Sequence, residues 1–193
     1  MKLFIPLFLF LFAACDQPLK QVLIQATDST TSDDTSIIAV AEPEQPREQK
    51  VNYTAGTIIN TGTTLPLDLV NYAKTLLGVP YLYASTNPQT GFDCSGFITY
   101  VFNHFNIAVP RSSVDFTNVQ HEVPLEQAAP GDLILFTGTD STVRIVGHMG
   151  IITENNLGNL QFIHSTSGKQ YGVTITPLQQ YYMGRFVKIV RVF

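Results

Sequence analysis

Apolar residues recur at helical spacing in two stretches near the middle of the chain. The first stretch begins with Pro66, a residue typical of a first helical turn, and stops at Gly78, which predicts a helix over about 65–77. The second stretch predicts a helix over about 94–106 that ends before Pro110. The apolar positions that define the two helices are Leu65, Leu69, Ala73, Leu76 and Leu77, then Phe97, Ile98, Val101, Phe102 and Phe105.

The pattern changes after a shorter helical segment predicted over about 112–119. From Asp132 onward, short runs rich in β-formers are separated by Gly, Asn and Pro. The predicted strands are Asp132–Thr137, His148–Thr153, Leu160–His164, Val173–Thr176 and Arg185–Phe193. Helices followed by antiparallel strands predict an α+β domain, with the N-terminal helices packed on one side of a central antiparallel sheet.

The N-terminus has the layout of an export signal, so residues 1–14 are expected to be a signal peptide. Lys2 precedes the apolar run Leu3–Phe12. This run is about half the ~20 residues that a membrane-spanning helix needs. The small pair Ala13-Ala14 directly before Cys15 resembles a bacterial lipoprotein processing site. Cys15 is therefore expected to be lipidated; ordinary secretion, with Cys15 merely near the cleavage point, is the alternative.

Composition separates a tether from one domain. Residues 15–50 are polar and Pro-rich, with seven acidic and three basic residues, which predicts a flexible acidic tether. Residues 51–64 form a lead-in whose Thr57-Ile58-Ile59 could add an edge strand or pack on the surface of the domain, 65–193. The net charge of −4 falls mostly in the tether, so the domain has no basic stripe and nucleic-acid binding is not expected.

A cysteine stands at the start of the second predicted helix, in the stretch Gly91–Gly96. Asp93 is a good N-cap, so Cys94 is expected to be the first helical residue, where backbone N–H groups and the helix dipole favour the thiolate. A lone cysteine is ordinarily a small buried hydrophobe. However, lipidation of Cys15 would leave Cys94 without a disulfide partner in an oxidising compartment, which favours catalysis.

Two of the four histidines are candidate partners for this thiol. His148 and His164 flank a predicted hairpin, and a loop centred on Asn156 would place them directly opposite each other on one face. A shift of the strand register by one residue would place the two histidines on opposite faces of the hairpin. His104 is expected at the surface or boundary of the helix, and His121 in a polar loop.

A thiol with two imidazoles is suited to nucleophilic acyl transfer. The thiol attacks a carbonyl, one histidine takes its proton and later protonates the leaving amine, and a second polar group fixes the imidazole tautomer. The backbone N–H of Cys94 can supply an oxyanion donor. Zinc is the competing use of such residues, but the chain has no Cys-x-x-Cys or His-x-x-x-His pair, so neither metal nor other cofactor is expected.

Six ordered blocks resemble the NlpC family of cell-wall cysteine peptidases, and the resemblance spans about residues 66–193. It implies a papain-like α+β fold, with Cys94 as nucleophile, His148 as general base and His164 as the polar residue that orients it. The blocks are Gly78–Tyr81, Gly91–Phe97, Val109–Ser112, Pro130–Phe136, Gly147–Ile151 and Phe162–Ser165.

The resemblance also implies substrate contacts around the nucleophile. Tyr81 matches a tyrosine near the thiol that helps to stabilise the oxyanion or to bind the substrate. Asp93 matches a residue that helps to hold the stem peptide. Arg111 and Ser112 match a loop that borders the cleft; simple packing of Tyr81 and surface charge at Arg111 are the alternatives.

Three departures from the family pattern concern the shape of the cleft. Ala84-Ser85 stands where the family often has Gly-Gly, followed by a longer Thr86–Thr90 loop. Phe116 lies near the position of a frequent glutamine, and the loop Gly138–Gly147 is long.

The resemblance implies a peptidoglycan hydrolase, a cysteine endopeptidase that cleaves stem peptides at the bond between γ-D-glutamate and a diamino acid. A cell-wall amidase or acyltransferase with the same triad, or a catalytically silent wall-binding lipoprotein, are the alternatives. The protein is expected to be exported and lipid-anchored to a bacterial envelope membrane, with the domain facing the periplasm or cell wall. No obligate protein partner is expected.

Overall fold

The computed structural model describes residues 56–119, 121–156 and 158–193. The predicted signal peptide, Cys15, the tether and positions 51–55 of the lead-in lie outside these residues. The described residues all belong to one unit, Glu48–Phe193. Within them, no helix combines the length and apolar character needed to cross a membrane.

Three α-helices, two 3-10 helices and eight strands make up the described part of the chain. The helices are α1 (Pro66–Lys74), α2 (Cys94–His104) and α3 (Gln180–Arg185), with 3-10 helices at Ser113–Asn118 and Leu125–Gln127. The strands are β1 (Thr86–Asn87), β2 (Gly91–Phe92), β3 (Glu122–Val123), β4 (Leu133–Thr137), β5 (Val146–Asn156), β6 (Asn159–Thr166), β7 (Gly172–Pro177) and β8 (Phe186–Val190). Strands β1 and β2 form a hairpin, and the other six form an antiparallel sheet in the order β3-β8-β4-β5-β6-β7.

The predicted α+β class is confirmed, and the boundaries differ where local bonding changes. Helix α1 ends at Lys74 rather than near 77, because the N–H groups of Thr75 and Leu76 bond back to carbonyls three residues earlier. The last strand ends at Val190 rather than Phe193. Helix α3 and strands β1, β2 and β3 were not predicted, because segments of two to six residues are too short to show a periodic pattern.

Both faces of the sheet are buried. On one face, Leu133 and Leu135 of β4 pack in the core formed by α1 and α2. On the other, Ile134 and Phe136 pack in a smaller core that Tyr182 of α3 helps to cover. This alternation follows from the two-residue period of a strand. The N-terminal helices therefore lie on one side as predicted, and the unpredicted α3 covers the second side.

The β5–β6 hairpin has a different register from the one predicted. Ile151 pairs with Ile163, which is two positions away from the pairing that would oppose His148 and His164 directly. The turn is shorter than expected, since Asn156 already pairs with Asn159, which displaces the register by three positions; a bulge between Ile152 and Glu154 reduces this displacement to two. Because a shift of two residues preserves the face of every side chain, the two histidines still point to the same side.

The described part of the lead-in, 56–64, adds one isolated bridge to the domain. Thr57 forms a parallel bridge with Val119, and the Gly56 N–H donates to the Asn118 carbonyl at 2.9 Å. Ile59 is buried in the helix-side core, whereas Ile58 is exposed. The buried Ile59 and the bridge at Thr57 therefore attach this segment to the domain.

Candidate active site

Helix α2 begins at Cys94, as predicted, because Asp93 caps it. Asp93 is extended, and its Oδ1 accepts a hydrogen bond from the N–H of Gly96 at 2.6 Å. Gly96 itself admits no side chain, since a Cβ there would lie 2.0 Å from the Ser85 carbonyl oxygen. The order Asp-Cys-Ser-Gly thus combines a cap, a thiol in the first turn and a close approach of the backbone.

Hydrogen bonds to the neighbouring backbone fix the turn before Cys94. The Asp93 N–H donates to the Ser85 carbonyl at 3.1 Å. The buried Ser165 hydroxyl of β6 donates to the Phe92 carbonyl at 2.7 Å. The nucleophile turn is therefore attached to the strand that carries His164, and the position of the thiol relative to the sheet is set by a side chain of the sheet.

Cys94 is a free, partly exposed cysteine that lies over the backbone of β5. Its Sγ is 3.9 Å from the carbonyl oxygen of Gly147, and the N–H of Met149 also hydrogen-bonds to the sulfur in its thiolate form. These two residues are the neighbours of His148 along the strand. The structure therefore brings the thiol to the strand segment that carries the predicted base.

The two predicted histidines are hydrogen-bonded to each other. Nε2 of His148 lies 2.8 Å from Nδ1 of His164, and Nε2 of His164 lies 2.9 Å from Oγ1 of Thr176. The continued register places Gly150 opposite His164, so the two imidazoles meet diagonally across the strands. A Cβ on Gly150 would lie 3.2 Å from the Cβ of His164 and 2.8 Å from the Ile163 carbonyl oxygen. Glycine at this position gives His164 the room it needs.

The second nitrogen of His148 faces accessible space. Nδ1 has no hydrogen-bond partner among the described residues, and those residues contain no buried side-chain nitrogen or oxygen atom without a partner. Nδ1 is therefore not a fully buried atom, although the side chain as a whole is buried. It is the nitrogen available for proton exchange with a thiol or substrate.

An aromatic layer and a buried cation cover the histidine pair. The Tyr182 ring of α3 stacks near His148, with ring centroids 6.1 Å apart, and Phe162 lies 4.7 Å from the His164 ring. The guanidinium of Arg185 lies 5.6 Å from the centre of the Tyr182 ring, and it donates to the carbonyls of Thr137 and Gly138. Helix α3 thus covers the pair through Tyr182 and Arg185.

The thiol is not a thiolate in the free protein. Burial, followed by the negative charge of Asp93, raises the pKa of Cys94 to about 11, although backbone N–H groups of Ser95, Cys94 and Met149 oppose this rise. The backbone N–H groups at the helix N-terminus do favour the thiolate, as expected, but desolvation outweighs them and the pKa of Cys94 is raised overall. A base must remove the proton during the reaction.

The imidazoles are neutral at neutral pH. Burial and then the Arg185 charge lower the pKa of His164 to about 3. Burial, His164 and Arg185 also hold the pKa of His148 well below its usual range. With the pKa of Cys94 raised and that of His148 lowered, a neutral His148 is suited to take the thiol proton as a general base.

We expect the buried histidines to make the protein acid-sensitive. The pKa of His164 is about 3 when folded, because of burial, and ~6.5 when unfolded. As the pH falls below ~6.5, only the unfolded chain gains the proton, so the free energy of unfolding drops by about 1.4 kcal/mol per pH unit for this group. Urea unfolding of the wild type and His164→Asn between pH 6.5 and 4.5 should show a shallower slope in the variant.

The matched control for this measurement is His121→Asn. His121 is exposed and has a positive φ of 54°, a conformation that asparagine tolerates, so its replacement should leave the pH slope unchanged. Equal slopes for the wild type and His164→Asn would contradict a buried neutral His164.

Asp93 and Arg111 form one charged unit beside the thiol. Both oxygens of Asp93 accept from the Arg111 guanidinium, at 3.0 and 2.6 Å, and Arg111 also donates to the Ser95 hydroxyl at 3.0 Å. Such a two-point bond holds the guanidinium in a fixed orientation. Ser112 follows at the surface, before the 3-10 helix, and its side chain does not cap that helix.

Tyr81 lies on the Cys94 side of the neighbouring loop. Its N–H donates to the Tyr171 carbonyl at 3.1 Å, and the two rings meet edge to face at 5.9 Å. Burial first, and then the charges of Cys94 and Asp93, raise the pKa of the Tyr81 phenol. The hydroxyl therefore keeps its hydrogen and can donate to a substrate oxygen in the cleft.

Four residues of the site were not singled out by sequence reasoning. Gly150 lies within the Gly147–Ile151 block, and Thr176 at the end of a predicted strand; the alternating hydroxyls of Thr174 and Thr176 along β7 were the available signal for Thr176. Tyr182 and Arg185 lie in the unpredicted α3. Of the departures, Ala84 has a positive φ of 58°, where glycine would be unstrained, and Phe116 is fully buried in the helix-side core.

Comparisons with known proteins match one family over most of the described region. The model of the NlpC/P60 family matches residues 78–192, which is more than half of the chain. A γ-DL-glutamyl hydrolase of Bacillus subtilis is 34% identical over 124 residues, covering 64% of this chain and 29% of the relative. LytE of Bacillus subtilis, described as a probable peptidoglycan endopeptidase, is 37% identical, covering 59% of this chain and 30% of the relative.

A solved structure shares the fold over the same region. The crystal structure of an NlpC/P60 family protein from Bacillus cereus aligns with a TM-score of 0.60 and 30% identity, covering 69% of this chain and 42% of that one. The matched region thus spans less than a third of the curated relatives and under half of this structure.

Proposed function

The chain belongs to the NlpC/P60 family, and on that premise we propose that it is a cysteine endopeptidase that cleaves the stem peptides of peptidoglycan. The observation that carries the proposal is the position of Cys94 at a helix N-terminus over the neighbours of His148, which is itself bonded to His164 at 2.8 Å. The names of similar proteins refer to γ-glutamyl bonds and to peptidoglycan, which supports the γ-D-glutamyl–diamino acid bond as the target.

In the proposed reaction, Nδ1 of His148 takes the thiol proton as the sulfur of Cys94 attacks the carbonyl carbon. The oxygen of the tetrahedral intermediate is stabilised by the N–H of Cys94 and by the Tyr81 hydroxyl. His148 then gives its proton to the leaving amine, and a thioester remains on Cys94. His148 next takes a proton from water, which attacks the thioester and releases the acid, and the thiol regains its proton.

Stem-peptide binding falls to the charged unit and the loop that follows it. In this proposal Arg111 borders the cleft; Asp93 holds its guanidinium in place with both carboxylate oxygens. In this proposal Arg111 and the exposed Ser112 contact the peptide, and Asp93 acts on it through Arg111. The carboxylate groups of a stem peptide are the chemistry that a fixed guanidinium recognises.

We also propose that Cys15 is lipidated and that residues 15–50 tether the domain to an envelope membrane. The support is the small pair before Cys15, the apolar run that precedes it and the acidic, Pro-rich composition that follows. On this proposal the domain reaches peptidoglycan from an anchored position.

The test of the proposed reaction is a digest of purified peptidoglycan with the full chain, followed by mass analysis of the soluble fragments. The expected fragments carry a new free amine on the diamino acid and a new carboxyl on D-glutamate. Release of intact stem peptides from the sugar would indicate an amidase. Stem peptides joined to a new amine would indicate an acyltransferase. Binding to peptidoglycan without any new ends would contradict an enzymatic role.

A further inference from the structure

A hydrogen-bonded series of three side chains crosses strands β5, β6 and β7 behind the cleft. Nε2 of His148 lies 2.8 Å from Nδ1 of His164, and Nε2 of His164 lies 2.9 Å from Oγ1 of Thr176. We propose that Thr176 is a positioning residue that fixes the tautomers of both imidazoles, and with them the nitrogen that acts as base. This inference rests on the proposed function for its catalytic consequence, but not for its structural claim.

The pair shares one hydrogen between its two facing nitrogens. Both rings are buried, with 0% exposure for His164 and 8% for His148, and the Arg185 guanidinium adds a positive charge nearby. These surroundings disfavour an imidazolium in either ring. A neutral pair joined through one hydrogen bond has two arrangements, which differ in the ring that donates.

The two arrangements have opposite consequences at the cleft. If Nε2 of His148 donates, Nδ1 of His148 has a free lone pair and can take a proton from Cys94; Nε2 of His164 then bears a hydrogen that points at Thr176. If Nδ1 of His164 donates, the hydrogen of His148 must be on Nδ1, where it blocks the base. Nε2 of His164 would then need a donor.

The surroundings of Thr176 favour the first arrangement. His164 is fully buried, and the Thr176 hydroxyl is the described partner of its Nε2, so a hydrogen there depends on that oxygen as acceptor. Thr176 is only half-buried, and its own hydrogen can be directed to water. Nδ1 of His148, at the other end, carries the lone pair in this arrangement and, because it is not a buried atom, needs no protein donor.

Removing the hydroxyl is expected to reverse the preference. In Thr176→Val, a hydrogen on Nε2 of His164 would face a methyl group, and a buried donor without an acceptor costs more than an acceptor without a donor. The hydrogen moves to Nδ1 of His164, where Nε2 of His148 accepts it. His148 is then protonated on Nδ1, and kcat falls on the order of 10- to 100-fold with KM unchanged.

The experiment is nitrogen-15 NMR of the full chain with labelled imidazole rings, which distinguishes protonated from unprotonated nitrogens. We expect His148 and His164 of the wild type to be protonated on Nε2, and Thr176→Val to populate the Nδ1-protonated form of both. Thr176→Ser, which retains the hydroxyl, should restore the wild-type pattern and kcat. The exposed His104 and His121 supply reference signals that should not change.

The matched control is Thr174→Val on the same strand. Thr174 pairs with His164 in the sheet, but its hydroxyl bonds to the Ile175 carbonyl, so its loss should alter neither tautomer nor kcat. Unchanged tautomers in Thr176→Val, or a wild type protonated on Nδ1 of His148, would overturn the inference. A wild type with the expected tautomers but no peptidase activity would instead refute the proposed function and leave the inference standing.

Discussion

Replacing Cys94 by alanine is expected to abolish cleavage of peptidoglycan, with a loss on the order of 10⁴-fold or more in kcat. The sulfur is the atom that forms the bond to the substrate carbonyl, and no other described side chain over the Gly147–Met149 backbone can replace it. Mass analysis of peptidoglycan fragments measures the loss. Because Cys94 is partly exposed and its main bonds are made by its backbone, the variant should unfold at nearly the wild-type urea concentration.

One control variant and one measurement on the wild type test whether the loss of cleavage is specific to Cys94. Cys15→Ala removes the other cysteine and should retain cleavage in a detergent-solubilised digest. In the wild type, alkylation of Cys94 should be slow at neutral pH and should accelerate toward alkaline pH, because burial raises the pKa of the thiol to about 11. Cleavage retained in Cys94→Ala would refute the nucleophile.

Gly150→Ala is expected to lower kcat/KM by about 100-fold and to destabilise the fold by about 2–4 kcal/mol. The added Cβ would lie 2.8 Å from both the Ile163 carbonyl oxygen and Cδ2 of Phe162, and 3.2 Å from the Cβ of His164. The Ile163 carbonyl oxygen is a backbone atom of β6, so it can make room for the methyl group only if β6 moves away from β5. His164 would shift relative to His148, and the 2.8 Å hydrogen bond between them would be lost.

The matched control for this substitution is Gly184→Ala. Gly184 lies in α3, is exposed, and has no atom within 4 Å of the position that a Cβ would take. Alanine there should leave activity unchanged and stabilise the helix by up to about 1 kcal/mol. The measurements are urea unfolding and peptidoglycan cleavage for each variant. Wild-type activity in Gly150→Ala would contradict the packing argument at His164.

The nucleophile turn could be predicted closely because its signals are local. Asp93 as a cap and Cys94 as the first helical residue depend only on neighbouring residues, and the structure confirms both. Runs of β-formers between turn residues likewise placed the long strands. The register of β5 and β6 could not be predicted, since it depends on a bulge and on a turn shorter than the composition of the loop indicated.

The protonation states of the site residues likewise depend partly on local sequence and partly on packing. The helix N-terminus at Cys94 is a local feature and indicated a thiolate. The raised pKa of Cys94 results chiefly from burial, which only the packed structure reveals. The neutral state of His148 and His164 depends on burial and on Arg185, a residue of the unpredicted α3.

By itself, the sequence determined the α+β class and the capped helix that begins at Cys94, because both depend on short-range composition and capping. The predicted common face of His148 and His164 is present, but the turn and the bulge of β5 and β6 decide it. Only the tertiary structure decided how that face is completed. Gly150 makes room for His164, Thr176 bonds to it from the next strand, and α3 covers the pair. These contacts join residues far apart in sequence, and they form only when strand register and packing bring the side chains together.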